Sequence, residues 1–245
     1  LKVLRGFRGA ALPGQSLVVY DPDQDLVVDL ILGEDGHAQE RSLMPPLLEK
    51  AQPGELWIAD RNFSTRTILS NWHTRGSAFL IREHGRSPHP RECEPLKEVG
   101  KTDTGQVFEQ AVEIDDAAGG PWHCRRIELH LKHPTADGDT VIRLLSNVPG
   151  MSASALADLY RRRWRIETLF QRLESVLHSE IRPLGYPRAA LLAFGLATLA
   201  YNILSVVAAF IRQQHDLAAA NLTLSFYYLA LEIQSYYKGM VLAVP

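Results

Sequence analysis

Cysteine is scarce in this chain of 245 residues, which contains only Cys93 and Cys124. The two residues lie far apart in the sequence and form no CxxC pair. The sequence therefore predicts neither a disulfide-stabilised scaffold nor a zinc site, and it favours a reducing cytosol.

The chain also lacks an excess of positive charge. Its 26 lysines and arginines are balanced by 28 acidic residues, which gives a net charge of −2. Because no overall basic field attracts nucleic acid, any nucleic-acid site must be a local patch, and residues 161–165 hold the densest group of cations. No signal-peptide pattern is present, and from the leucine at position 1 we expect a fragment of a longer reading frame.

The remaining composition is ordinary for a globular protein, with 46% hydrophobic and 22% charged residues. The length suits one large domain or one domain with an insertion.

Residues 153–178 are predicted to form one long helix. Ser152 or Ser154 can cap its start, and no glycine or proline follows before Pro183. One side of this helix is apolar and should pack on a core. Its residues are Leu159, Ile166, Leu169, Leu173 and Val176.

A second side of the same helix carries Tyr160, Arg163 and Glu167, spaced by three and four residues. A carboxylate among arginines should stay ionised, which suits a hard divalent metal. Guanidinium groups suit phosphate oxygens, and Trp164 suits stacking on a base. The alternative is a solvated helix face with Glu–Arg pairs.

The amino-terminal part is predicted to alternate strands and helices, with strands over 15–20, 26–32, 55–59 and 77–82 and helices over 43–51 and 65–75. Asp60 directly follows the third of these strands, inside a strand–helix–strand unit. Ligands of α/β sheets bind at the carboxyl ends of strands, so Asp60 is a candidate site residue. The alternative is a helix cap or turn residue.

The middle of the chain is predicted to be rich in strands, over 107–114, 122–132 and 139–147. Its histidines, His123, His130 and His133, match no common metal motif and are interpreted as surface or hydrogen-bonded residues.

The carboxyl-terminal part contains 23 residues without a formal charge, 189–211. This length would span a membrane, but a helix that is apolar all round can equally be buried in a soluble protein. Asn202 within it is expected to make a buried hydrogen bond. Residues 221–245 are either a docked helix or a tail.

The spacing Tyr160-x2-Arg163-x3-Glu167, inside YRRRWRIE, resembles the Tyr-Arg-Glu-Lys signature of DDE transposases of bacterial insertion sequences, in the insertion-sequence-four branch. The segment Asp60-Arg61-Asn62-Phe63 resembles the region around the second catalytic Asp of the same family. Glu174 stands where the family has its lysine, which reverses the charge of one phosphate contact.

The resemblance implies an α/β fold with an RNase H-like core, a β-rich insertion between the second Asp and the catalytic Glu, and a helical carboxyl end. Residues 1–84 would form the first part of the core, 85–148 the insertion and return strand, and 149–245 the catalytic helix and the helices after it.

The same resemblance implies metal-dependent cleavage at transposon ends followed by strand transfer, with Mg²⁺ or Mn²⁺. Asp60 and Glu167 would be catalytic metal ligands. Contacts to DNA, at the transposon ends and the target, would come from Tyr160, Arg163, Trp164, Arg161, Arg165 and Arg61. We expect a cytoplasmic, nucleoid-associated bacterial protein that forms a homodimer on DNA and does not enter a membrane.

The fold requires a further Asp on its first strand. Asp21 ends a strand, but too few elements separate it from Asp60, so we predict that residues 15–20 form the second strand and that the first strand lies upstream of Leu1. The chain alone would then be inactive. Two alternatives stay open, a non-catalytic DNA-binding remnant and a protein anchored in a membrane by residues 189–211.

Overall fold

The computed structural model of the protein describes residues 2–7, 14–116, 120–179, 186–215 and 224–243. Ten strands in these residues form one mixed sheet. They are β1 (Lys2–Phe7), β2 (Gln15–Asp21), β3 (Leu26–Gly33), β4 (Leu56–Ala59), β5 (Ala78–Arg82), β6 (Arg91–Glu92), β7 (Lys97–Thr102), β8 (Gly105–Asp115), β9 (Pro121–Leu131) and β10 (Val141–Ser146).

Six α-helices in the described residues accompany the sheet. They are α1 (Pro45–Lys50), α2 (Arg66–Thr74), α3 (Ala153–Arg161), α4 (Arg165–Ser175), α5 (Pro187–His215) and α6 (Phe226–Ala243). The predicted strands and helices before Asp60 and around α2 are confirmed within one or two residues.

The strand order is β3-β2-β1-β4-β5-β10-β9-β8-β6, with β7 paired to β8. Strands β1, β4 and β5 are parallel neighbours, and the others pair antiparallel. The unit β4–α2–β5 is the predicted βαβ unit. This mixed α/β architecture fits the predicted RNase H-like core.

Both faces of the central strands are buried. Val3, Ile58 and Leu80 face a core that α3, α4 and α5 cover. Their chain neighbours Leu4, Trp57 and Phe79 face the opposite core, which α1 and α2 cover. The sheet is therefore sandwiched between two helical layers, and functional side chains can project only at its strand ends.

The strand that lies between β2 and β4 differs from the one we predicted. We expected the strand in that position to lie upstream of Leu1, but β1 occupies it and pairs with both neighbours. The prediction passed over residues 2–7 because a short run that includes Lys2, Arg5 and Gly6 has no clear alternation of apolar and polar residues.

The strands of the middle region extend the same sheet. β8 and β9 pair over eleven residues, and β9 continues onto β10, which lies beside β5. The three predicted strands are confirmed, while β6 and β7 were not predicted because their residues are mostly exposed and polar. That the strands of this middle region form an insertion stays a prediction.

The helix predicted over residues 153–178 is shorter and contains one irregular turn. The Ser152 hydroxyl oxygen caps its start by accepting a hydrogen bond from the Ala155 amide. Residues Arg162–Trp164 form a 3₁₀ turn between α3 and α4, and the helix ends at Ser175. Together, α3, this turn and α4 form the signature helix, residues 153–175.

The part of the carboxyl-terminal region that the structure describes contains two helices, α5 and α6. Asn202 of α5 makes the predicted hydrogen bond. Its side-chain oxygen accepts from the Val27 amide on β3, and its side-chain nitrogen donates to the Val27 carbonyl. Among the described residues, α5 is the one helix long and apolar enough to cross a membrane, although 44% of its most apolar window is buried in the protein. Residues 226–243 form α6, whose first residue, Phe226, stacks on Tyr201.

Candidate functional site

Asp60 lies directly after β4, at the carboxyl end of the parallel strands. Its side chain accepts a hydrogen bond from the Arg61 amide and so caps the short 3₁₀ helix Arg61–Phe63. Asp60 therefore acts as a helix cap, which was the alternative interpretation. This hydrogen bond occupies one carboxylate oxygen, Oδ1, and Asp60 stays half-exposed.

Tyr160 lies on the signature helix, within electrostatic range of Asp60. Its ring is 6% exposed, and burial raises the pKa of its phenol above the ordinary value. The Arg163 cation lowers this pKa and the Asp60 carboxylate raises it, so both charges lie within electrostatic reach of the phenol. The hydroxyl of Tyr160 has no hydrogen-bond partner among the described residues.

Arg163 joins this phenol to Glu167. One of its guanidinium nitrogens lies 3.4 Å from a carboxylate oxygen of Glu167. The same guanidinium lies 5.8 Å from the ring centre of Tyr160 and 5.2 Å from that of Trp164. The Arg163 side chain is only 10% exposed, whereas that of Glu167 is 26% exposed, so a largely buried cation restrains a carboxylate that solvent can still reach.

Trp164 and Tyr160 differ in their access to a ligand. The indole of Trp164 is 60% exposed beside the Arg163 guanidinium, as a stacking platform requires. The hydroxyl of Tyr160 is buried, so a phosphate cannot reach it in this conformation.

The other arginines of the signature helix lie on its opposite flank. Arg162 forms an ion pair with Asp23, and Arg165 donates a hydrogen bond of 2.6 Å to the carbonyl of Pro22. Both therefore bind the turn between β2 and β3. Arg161 is 3.8 Å from Asp158, one turn earlier on the same helix. Arg165, predicted to contact DNA, thus has a structural partner within the chain.

Asp21 lies at the opposite end of the sheet from Asp60. Tyr20 pairs with Val3, which pairs with Ile58, so Asp21 stands level with the start of β4. At ~3.3 Å per residue, Asp60 is roughly 10 Å further along the strands and two strands away. Asp21 accepts hydrogen bonds from two amides of its own turn. Its rejection as a catalytic ligand agrees with this placement.

The position level with Asp60 on β1 holds no acid. Leu4 pairs with Ala59, so the next residue of β1, Arg5, stands level with Asp60. The strand KVLRGF contains no carboxylate at all. Among the described residues, Asp60 and Glu167 belong to no group of three ligating side chains within 4.8 Å of one another.

A cleft of about 390 Å³ opens next to Asp60 and was not predicted. Four arginines line it, and its acids are paired. Arg82 lies 2.7 Å from Asp139 and lowers the pKa of that carboxyl, while Glu83 forms a bidentate pair with Arg126. This arginine cleft is lined by Arg61, Arg82, Glu83, His84, Gly85, Arg86, Asp139, Val141 and Arg143. Sequence analysis missed it because its residues come from separate segments.

One three-residue group of ligating side chains occurs among the described residues, formed by Cys93, Glu113 and His123. The sequence predicted no zinc site, and Glu113 already pairs with Arg91, a cation that competes with a metal for the same carboxylate. Of the other histidines, His130 lies 3.0 Å from Glu128, in agreement with its predicted role. Glu174 is exposed on α4.

The family model described as the transposase DDE domain matches residues 14–203, which is 190 of the 245 residues and includes Asp60, the arginine cleft and Glu167. No curated protein matches the chain. The chain belongs to the transposase DDE domain family.

Proposed function

We propose that this chain is the catalytic domain of an insertion-sequence-four transposase, which cleaves DNA at transposon ends and joins those ends to target DNA. The observation that carries the proposal is that Arg163 contacts both Tyr160 and Glu167, and that the Tyr160 phenol lies within electrostatic range of Asp60 at the carboxyl end of β4. Asp60 and Tyr160 are a hundred positions apart in sequence, so only the fold brings them within this range.

The donor chemistry of Asp60 and Glu167 fits a hard divalent cation such as Mg²⁺ or Mn²⁺, because both offer carboxylate oxygens. When bound, such ions activate the attacking oxygen and stabilise the leaving oxygen of a phosphodiester. A pair of bridged ions requires more carboxylates than these two. Arg163 restrains the Glu167 carboxylate, so a bound cation would have to share that oxygen donor with it.

The remaining groups of the site would position DNA. The exposed Trp164 can stack on an unpaired base, and the adjacent Arg163 can neutralise a phosphate. Arg61 extends from the Asp60 turn into the arginine cleft, which we propose as the path of the phosphate backbone away from the scissile bond. Tyr160 acts as a positioning residue between Asp60 and Arg163.

The missing third carboxylate is the reason to expect no cleavage by this chain alone. Arg5 stands where a first-strand acid would face Asp60. Because β1 already fills the first-strand position, Arg5 rather than an upstream strand accounts for the absent acid, and we propose a cytoplasmic protein that acts on nucleoid DNA.

The test is nicking of supercoiled DNA with Mg²⁺ or Mn²⁺ by the 245-residue chain and by its Arg5→Asp variant. We expect activity only in the Arg5→Asp variant, with its loss when Glu167→Gln is added and its retention when Glu174→Gln is added as the matched control on the same helix. Nicking by the short chain that Asp21→Ala abolishes would overturn the assignment of the acids.

A second candidate function is a DNA-binding remnant without catalysis, favoured by Arg5 and by the exposed Glu174 in place of the family lysine. DNA binding that weakens with salt, without cleavage by either form, would select it. The membrane-anchored alternative predicts instead that the chain sediments with lipid vesicles.

A further inference from the structure

One face of α5 is apolar and exposed. Its six large side chains are each between 55% and 64% exposed, while the opposite face packs on the core and on β3. These residues form the α5 stripe, which consists of Leu192, Leu196, Leu199, Ile203, Val206 and Phe210. Soluble monomers rarely expose a continuous apolar surface of this extent, so the stripe indicates an interface.

The spacing of the α5 stripe is that of a coiled-coil seam. Successive residues are separated by four, three, four, three and four positions, which corresponds to alternating d and a positions of a heptad. The flanking positions are mainly small, among them Ala193, Gly195, Ala200 and Ala209. Small flanks allow the backbone of another helix to approach closely.

Gly195 supports a close approach independently. A Cβ placed on this residue would meet no atom within 4 Å, so packing within the chain does not require glycine there. Glycine inside a helix is unfavourable relative to alanine. An approaching helix backbone would account for its presence.

The stripe is symmetric about the level of Tyr201. If a second α5 lies antiparallel across it, Leu199 meets Ile203, Leu196 meets Val206 and Leu192 meets Phe210 of the second copy. Each of these layers joins a d position to an a position, as antiparallel pairing requires. One surface is thus complementary to itself under a two-fold rotation, which is the geometry of an isologous dimer.

The ends of the helix and the area agree with this partner. Arg212 would lie within one turn of Arg188 of the second copy, where Glu34, 2.8 Å from Arg188, can accept both cations. At roughly 100 Å² for each stripe residue, about 600 Å² per copy would be buried. This approaches the ~800 Å² per partner of a standard interface.

We propose that α5 pairs with α5 of a second copy of this chain as an antiparallel two-helix interface. The proposal specifies the surface of the homodimer expected on DNA but does not depend on cleavage chemistry. Self-association is measured without DNA or metal, so its failure and that of the proposed function are distinguishable.

The first measurement is sedimentation velocity of the 245-residue chain over a range of concentrations. We expect a dimer whose apparent dissociation constant rises at least about 30-fold in Ile203→Glu, because a charge is buried at the centre of the interface. The matched control is Val99→Glu, which changes an exposed valine on β7 and should leave the dimer intact. Circular dichroism verifies that both variants are folded.

The second measurement tests the antiparallel register by oxidative cross-linking in a Cys93→Ser background, where the remaining Cys124 is buried. A mixture of Leu199→Cys and Ile203→Cys proteins should give a disulfide-linked dimer, whereas mixed Leu192→Cys and Ile203→Cys proteins should not. A monomer at every concentration overturns the proposal. Association only with vesicles overturns it in favour of a membrane, and cross-linking in the wrong pair overturns the register.

Discussion

The two flanks of the signature helix use the same residue types for different purposes. On one flank, Arg162 and Arg165 bind the β2–β3 turn, and Arg172 reaches Asp25 of that turn at 3.4 Å. On the other flank, Arg163 faces Tyr160 and Glu167 beside the end of β4. The first flank has partners within the chain that fix the helix on the sheet. The second flank brings together a buried phenol, a cation and an acid.

The difference indicates how to separate structure from function in an arginine-rich helix. A cation whose partner is a turn carbonyl or a turn carboxylate contributes to folding. A cation that restrains an acid beside a strand end is available for chemistry. Substitutions on the two flanks should therefore affect different measurements.

The largest expected effect is on the structural flank. Asp25→Ala should lower the free energy of unfolding by about 3 kcal/mol, because it leaves Arg172 and the hydroxyls of Tyr20 and Tyr201 without their shared acceptor. Urea denaturation measures this change. Asp23→Ala is the matched control, and removal of its exposed pair with Arg162 should cost less than about 1 kcal/mol. Equal losses in the two variants would remove the distinction between them.

On the functional flank, Arg163→Gln should weaken DNA binding about tenfold and reduce the salt dependence of binding by about one phosphate contact. Arg165→Gln, which changes an arginine bound to a turn carbonyl, should alter affinity by less than about twofold. Fluorescence anisotropy with a labelled duplex over a series of salt concentrations measures both. The opposite order of the two effects would contradict the assignment of the flanks.

Tyr160→Phe sharpens the comparison because it removes a buried hydroxyl that has no partner. Stability should stay the same or increase by up to about 1 kcal/mol, since the orphaned group is desolvated in the folded state. Thermal unfolding tests this expectation. A loss of more than about 1 kcal/mol would show that the hydroxyl is hydrogen-bonded and structural.

The smallest effect concerns Glu128, which holds Arg143 of the arginine cleft at 2.8 Å. Burial acts to raise the pKa of Glu128, but hydrogen bonds from Arg143 and His130 outweigh it, and the pKa lies below the ordinary 4.5. The stabilisation is therefore present above pH 4.5 and is lost as the pH falls through the lower folded pKa. Denaturant unfolding as a function of pH should show a shallower acid decline in Glu128→Gln; an unchanged slope would contradict this.

Much of the fold could be predicted because apolar alternation in strands and caps in helices are local signals. The βαβ unit around Asp60 and the helix with Glu167 are of this kind. β1 was missed because its residues are not periodic, and β6 and β7 because few of their side chains are buried. The 3₁₀ turn inside the signature helix contains no proline or glycine, so no sequence signal was present from which to predict it.

The site was predicted in part for a similar reason. Asp60, Arg163 and Glu167 were identified from short motifs, whereas the arginine cleft joins residues of β5, β10 and the segments around them. No sequence window contains such a combination. The pairing of Arg165 with Pro22 likewise spans 143 positions and leaves no local trace.

The sequence by itself determined which segments become strands and helices, where the acids stand at their ends, and the heptad spacing of α5, because each depends on neighbours within one or two turns of the chain. Tertiary structure alone decided which arginines of the signature helix bind a turn and which one contacts Tyr160 and Glu167. It also decided which face of α5 stays exposed. Those outcomes depend on burial and charge pairing between distant segments, and side chains acquire such partners only when the sheet and its two helical layers assemble.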